Sequence, residues 1–191
     1  MKNEKVNLKN YFKDFNNLLK FETNRNLNKI IDIKKELIKT KQRRKKILIF
    51  GNGGSSSIAS HFSVDLTKNA KIRCINFNDH NLITCFSNDY GFEKWIEKTI
   101  NFYGDKGDII ILVSSSGKSK NMLRASKAAK RKSIKIITLT GMSKNNPLKK
   151  SGKINLWVDS NAYNFIENIH QVWLLSIVDL IIGKSIYSSN R

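Results

Sequence analysis

Two short segments concentrate glycines and hydroxyls at the places where an apolar run gives way to a helical pattern. The first is Gly51-Asn52-Gly53-Gly54-Ser55-Ser56-Ser57, and the second is Ser114-Ser115-Ser116-Gly117-Lys118-Ser119. Glycines let the backbone reach positive φ and come close to a ligand. A helix start offers free N–H groups and a partial positive charge, which suits a phosphate, and serine hydroxyls add donors. A polar turn with a helix cap would account for either segment alone; two such segments in one sheet point to phosphate binding. A dinucleotide fingerprint would need glycine at position 56, where Ser56 stands. A Walker A loop ending at Ser119 would need glycine at position 112, where Leu112 stands. The expected ligand is therefore a phosphate ester such as a phosphorylated sugar, with no nucleotide cofactor.

The elements that must hold these loops are legible from periodicity. Residues 46–50 form a short β-rich apolar run ending at Gly51, and Asp108–Val113 is apolar without alternation, as a strand buried on both faces is. Further strands are predicted over 72–77, 134–140 and 154–158. Helices are predicted over 55–69, 80–87, 92–102, 121–132 and 162–182. In the first 43 residues, Leu8, Tyr11, Phe12, Phe15, Leu18 and Leu19 recur at helical spacing. Leu27, Ile30, Ile31, Leu37 and Ile38 form a second stripe, which predicts two helices covering the core or an oligomer interface. Alternating strands and helices predict an α/β fold, a doubly wound parallel sheet flanked by helices. Ligands of such sheets bind beyond the carboxyl ends of the strands, where both loops lie.

Composition narrows the class. A chain of 191 residues, 40% of them hydrophobic, suits one domain of 1–191 with a helical extension over 1–43 and a binding core over 44–185. No secretory start is expected. The run Val172–Ile182 is about half a membrane span and contains Asp179, so it is read as a buried helix, with no membrane partner. Cys74 and Cys85 are read as free thiols in a reducing, cytoplasmic setting. The net charge of +20 comes from lysines that are dispersed, apart from the run Lys41–Lys46. It predicts general attraction to anions and not specific nucleic-acid binding. Trp95, Trp157 and Trp173 are expected in the core or an interface.

Five segments in order, Gly51–Phe62 (GNGGSSSIASHF), Ser87–Phe92 (SNDYGF), Ser114–Ser119 (SSSGKS), Ile137–Gly141 (ITLTG) and Ile166–His170 (IENIH), resemble the SIS (sugar isomerase) family, and within it the phosphoheptose isomerase branch. The resemblance spans nearly the whole chain. It implies a cytoplasmic homotetramer, or a dimer, with active sites between subunits. It also implies isomerisation of sedoheptulose 7-phosphate to D-glycero-D-manno-heptose 7-phosphate for lipopolysaccharide or other surface heptose. It assigns substrate contacts to Asn52, Gly53, Gly54, Asn88, Asp89, Ser114, Ser115, Ser116 and Ser119. Ser55 joins them by its place at the helix start.

At the catalytic positions the sequence departs from the family. The family places a histidine, a glutamate, a glutamine and a second histidine around a zinc ion. Here the first histidine is His61, the glutamate is replaced by Asp65, the glutamine by Glu167 and the second histidine by Leu175. His170 matches a family histidine outside the metal set. The resemblance implies Asp65 as base, with Glu167, His61 or His170 as the acid, since Leu175 can neither donate a proton nor bind metal. His61 and Asp65, four apart, share a helix face. With Glu167 they would form a three-ligand zinc site. The loss at Leu175 also admits two other readings: a phosphosugar-binding regulatory protein of the replication-initiator-associating type, or an isomerase of a different phosphosugar.

Overall fold

The computed structural model describes residues 2–186. In chain order its elements are α1 (Lys2–Gln42), β1 (Ile47–Gly51), α2 (Gly54–Lys68), β2 (Cys74–Asn76), α3 (His80–Tyr90), α4 (Trp95–Tyr103), β3 (Ile109–Ser114), α5 (Lys120–Arg131), β4 (Lys135–Thr140), α6 (Pro147–Ser151), β5 (Ile154–Trp157) and α7 (Tyr163–Ile182). The five strands form one parallel sheet in the order β2-β1-β3-β4-β5.

Strand alternation builds the two faces. Ile47, Ile49, Ile109, Ile111, Val113, Ile137 and Leu139 point to a core completed by α1, α2 and α7. Leu48, Phe50, Ile110, Leu112 and Ile136 point to the other, completed by α4, α5 and α6. Helices on both faces explain why β1 and β3 are buried throughout and carry no polar alternation.

The leading segment departs from expectation. It is one continuous helix, where two were predicted. No glycine or proline occurs before Gly51, so nothing in the chain breaks it. Its second half docks through Ile30, Ile33 and Leu37, whereas Val6, Leu8, Tyr11, Phe12 and Phe21 stay exposed. The short helix α6 was not predicted; Asn146 caps it by accepting from the Lys149 amide at 2.8 Å. Helix α7 is long and apolar enough to cross a membrane by composition, but it buries Ile166, Ile169, Trp173, Leu174, Ile177 and Val178 in the core. The Trp173 indole donates to Thr23 of α1 at 2.9 Å. Trp95 is almost fully buried and Trp157 nearly so, as expected of core tryptophans.

Candidate functional site

The strand order reverses direction between β1 and β3: the chain leaves β1 toward β2 and returns to build β3, β4 and β5 on the other side. Helices therefore diverge there and leave a crevice at the carboxyl ends of the two strands. Gly51 lies opposite Val113 in the register, so the loops that follow β1 and β3 emerge side by side. The two hydroxyl-rich segments of the sequence are these two loops.

A reciprocal amide pair ties them together. Asn52 donates to the Asn121 carbonyl oxygen at 3.1 Å, and Asn121 donates back to Asn52 at 3.0 Å. The same Asn121 oxygen accepts the Met122 amide at 2.9 Å. The first loop is thus fixed to the start of the helix that the second loop opens. The sequence reading missed Asn121, because its partner is 69 positions away.

Each loop is shaped by close approach. Gly53 has φ 53° and ψ −127° at the cap of α2, a conformation for glycine. A Cβ on Gly54 would stand 2.2 Å from a Glu167 carboxylate oxygen, so a larger residue there would push this carboxylate away from the start of α2. In the second loop Gly117 has φ 61°, and a Cβ there would stand 2.0 Å from the Asn146 amide oxygen. Backbone bonds from Gly141 to Ser115 at 2.8 Å and from Leu148 to Gly117 at 3.1 Å hold this loop from outside.

The predicted phosphate donors take distinct places. Ser55, Ser114 and Ser115 are buried. The Ser115 hydroxyl is buried without a hydrogen-bond partner, a polar group left unsatisfied at the end of β3. Ser114 and Ser119 hydroxyls lie 3.5 Å apart, and Ser116 accepts the Lys118 amide at 3.2 Å. Gly53 and Gly54 are exposed and Asn52 is half-buried. Lys118 is exposed. Asn88 and Asp89 are exposed at the end of α3. Asn88 donates to Asp89 at 3.0 Å, and the Cys85 thiol donates to Asp89 at 3.6 Å.

The catalytic candidates line the other side. One turn of α2 brings His61 Nε2 to 3.4 Å from Asp65 Oδ2. Gln171 of α7, one turn past Glu167, donates its amide to His61 Nδ1 at 3.3 Å, a neighbour that the sequence reading also missed. Desolvation raises the pKa of Glu167 above the usual carboxylate range. His170 is not part of the site. It is fully buried, its Nε2 donates to the Thr140 carbonyl at 3.1 Å, and its Nδ1 has no partner. Burial drives its pKa down to about 4, so it stays neutral. Of the three acids considered, it cannot reach a ligand.

The zinc site implied by the resemblance does not assemble within one chain. His61 and Asp65 form a pair, but Glu167 rests on Gly54, and Leu175 supplies no donor. Among the described residues no three His, Cys, Asp or Glu side chains gather into a metal-holding group.

Comparison with known proteins places this arrangement. The SIS domain family model matches residues 10–141. A phosphoheptose isomerase of Helicobacter pylori (strain ATCC 700392 / 26695) is 35% identical over 151 residues, which covers 76% of this chain and 78% of that protein. The solved phosphoheptose isomerases of Neisseria gonorrhoeae and Francisella tularensis superpose with a TM-score of 0.87 each, at 25% and 28% identity, over 96% of this chain and 100% of theirs. The chain belongs to the SIS domain family, on its phosphoheptose isomerase side.

Proposed function

We propose that the protein is an aldose–ketose isomerase that converts sedoheptulose 7-phosphate to D-glycero-D-manno-heptose 7-phosphate. The observation that carries this reading is the amide-stitched pair of loops with the Glu167 carboxylate laid against the start of α2, the helix that carries His61 and Asp65. The phosphate lies on the hydroxyls of Ser55, Ser114, Ser115, Ser116 and Ser119 and on the free amides of the α2 start. The sugar chain then runs toward Asp65. That carboxylate removes the proton from the carbon beside the carbonyl, and an enediol forms. The proton returns at the neighbouring carbon, and the carbonyl and hydroxyl change places. An acid must protonate the carbonyl oxygen as it becomes a hydroxyl, while the neighbouring hydroxyl gives up its proton as it becomes the carbonyl. Glu167, whose burial favours the protonated form, donates the first proton and, once ionised, accepts the second. Gln171 holds His61 from one side, and Asp65 stands on the other. No step is routed through a metal, since one chain does not supply the ligand set.

The apolar residues left exposed on the first half of α1 support a homotetramer. Asn88 and Asp89, exposed at the end of α3 with side-chain hydrogen bonds only to each other and to Cys85 among the described residues, support sites completed between subunits. The unpaired thiols Cys74 and Cys85 support a cytoplasmic setting, and surface heptose supply is the pathway role.

The replacement of the family's second histidine by Leu175 favours a second reading, a phosphosugar-binding protein without turnover. One experiment separates the two. NMR of purified protein with sedoheptulose 7-phosphate, with and without zinc, is followed for new anomeric signals, alongside Asp65→Asn. Turnover that falls at least about 100-fold in Asp65→Asn establishes the isomerase. Tight binding without turnover in the native chain establishes the binding protein.

A further inference from the structure

A parallel sheet has two ends, and the amino end here is strongly basic. The segments that enter β1 and β2 bring Lys41, Arg44, Lys45, Lys71 and Arg73 around one pocket of about 340 Å³. No acidic or aromatic side chain lines it. Its volume falls within the range of small-ligand pockets, about 300–1,000 Å³. It lies at the opposite end of the strands from the two serine loops, because residues 41–45 and 71–73 precede β1 and β2 while the serine loops follow β1 and β3.

Helix ends explain two of the five cations. Lys41 donates to the Ala70 carbonyl at 3.1 Å, and Arg73 donates to the Arg44 carbonyl, as cations near helix C-termini do. The side chains of Arg44, Lys45 and Lys71 make no hydrogen bond or ion pair among the described residues. Turn geometry does not explain them either. Arg44 and Lys71 each hold φ 57°, the left-handed region that glycine or asparagine fills with less strain. Two of the four non-glycine residues with positive φ among the described residues flank this one pocket, and both are cations.

We infer that this pocket is a second anion site, which binds the di- or triphosphate group of a small molecule. Close-set cations with no carboxylate among them favour a ligand that carries several negative charges within a few ångströms. The absence of an aromatic platform argues for recognition of phosphates and against base stacking of a nucleic acid.

Isothermal titration of the full chain at physiological ionic strength tests this, with tripolyphosphate, ATP, AMP and orthophosphate as ligands. Tripolyphosphate and ATP are expected to bind at least about tenfold more tightly than AMP or orthophosphate. The variant Arg44→Asn/Lys45→Gln/Lys71→Asn keeps residues that tolerate the left-handed turns. It is expected to lose at least about tenfold in triphosphate affinity, while Lys13→Gln/Lys20→Gln, with two exposed lysines of α1 removed, changes it less than about threefold. Circular dichroism checks that the triple variant keeps its helix content, and Lys45→Gln alone should give an intermediate loss. Saturating sedoheptulose 7-phosphate should leave triphosphate binding unchanged, and the outcome does not depend on that sugar being bound. Equal binding by tripolyphosphate and ATP marks the phosphates alone as the ligand group; tighter binding of ATP adds a nucleoside contribution, and both support the site. Equal losses in the two variants, competition by the sugar phosphate, or binding seen only with oligonucleotides and growing with their length would overturn it.

Discussion

His170, one of three acids considered, is a packed core histidine. Four residues past Ile166 on the core side of α7, it is sealed from solvent and kept neutral by desolvation. Its folded pKa of about 4 lies below the ordinary histidine value of 6.5. As pH falls through 6.5 the unfolded chain gains a proton there that the folded chain refuses, so stability drops. The drop saturates near pH 4, once the folded state also protonates, and amounts to about 3 kcal/mol across that window. Urea unfolding of the native chain and of His170→Gln between pH 7 and 4 should differ in slope by this amount, the variant losing less; parallel curves would show that the histidine titrates normally. Gln171, one position on, has the opposite character: it faces the site and grips His61. Gln171→Leu should lower kcat by about tenfold with KM changed little, because it frees the imidazole without touching the phosphate loops. Equal loss in binding and turnover would instead mark Gln171 as a ligand contact.

At the level of elements, the central strands were readable because apolar residues without alternation have one fate in a two-faced sheet. The loops were readable because glycine and serine clusters follow those strands. What sequence could not give were contacts between distant segments. The two stripes of the first 43 residues look like two helices, because apolar periodicity registers which face is buried and not whether the axis is continuous. The stripe shifts as α1 leaves the core, and the helix simply continues. Asn121 reads as an ordinary helix start until its partner Asn52 is seen, and no spacing in the sequence tells that the Glu167 carboxylate rests on Gly54. Aspartate at 65 and leucine at 175 were legible as departures, but where their neighbours settle is decided by packing. The Asn52–Asn121 pair gives the element-scale prediction. Asn121→Ala removes both amide bonds and the amide contact to Met122, at about 1 kcal/mol per bond. It should weaken sugar-phosphate binding by roughly tenfold, because the two loops then move independently, and three lost bonds should lower the unfolding temperature by roughly 6–12 °C. Unchanged binding by calorimetry would mean that each loop holds phosphate without the other.

For the whole molecule, the decisive surface is the flank of α1 that faces away from its own core. A helix of 41 residues is about 60 Å long, longer than the sheet it covers. Val6, Leu8, Tyr11, Phe12, Phe21, Leu27 and Ile31 remain exposed along it. A helix this long with a bare apolar flank lacks the tertiary packing that ordinarily sustains helices in water, and an apolar surface of this kind marks an interface. Tyr11 and Phe15 pack edge-on against Phe165 at 4.9 and 5.4 Å, so the same stretch of α1 also touches the first turn of α7, close to Glu167. An assembly through α1 would therefore brace the helix that carries the acid. Phe12→Asp/Phe21→Asp places two charges on the bare flank without altering any core contact. Light scattering after gel filtration should show the native chain as a tetramer and the variant as a smaller species. Turnover per chain should fall with the mass, while the helix content of the separated chains persists apart from the first turns of α1. If the variant keeps the native mass, the assembly uses another face; if it dissociates with full activity, each chain holds a complete site of its own.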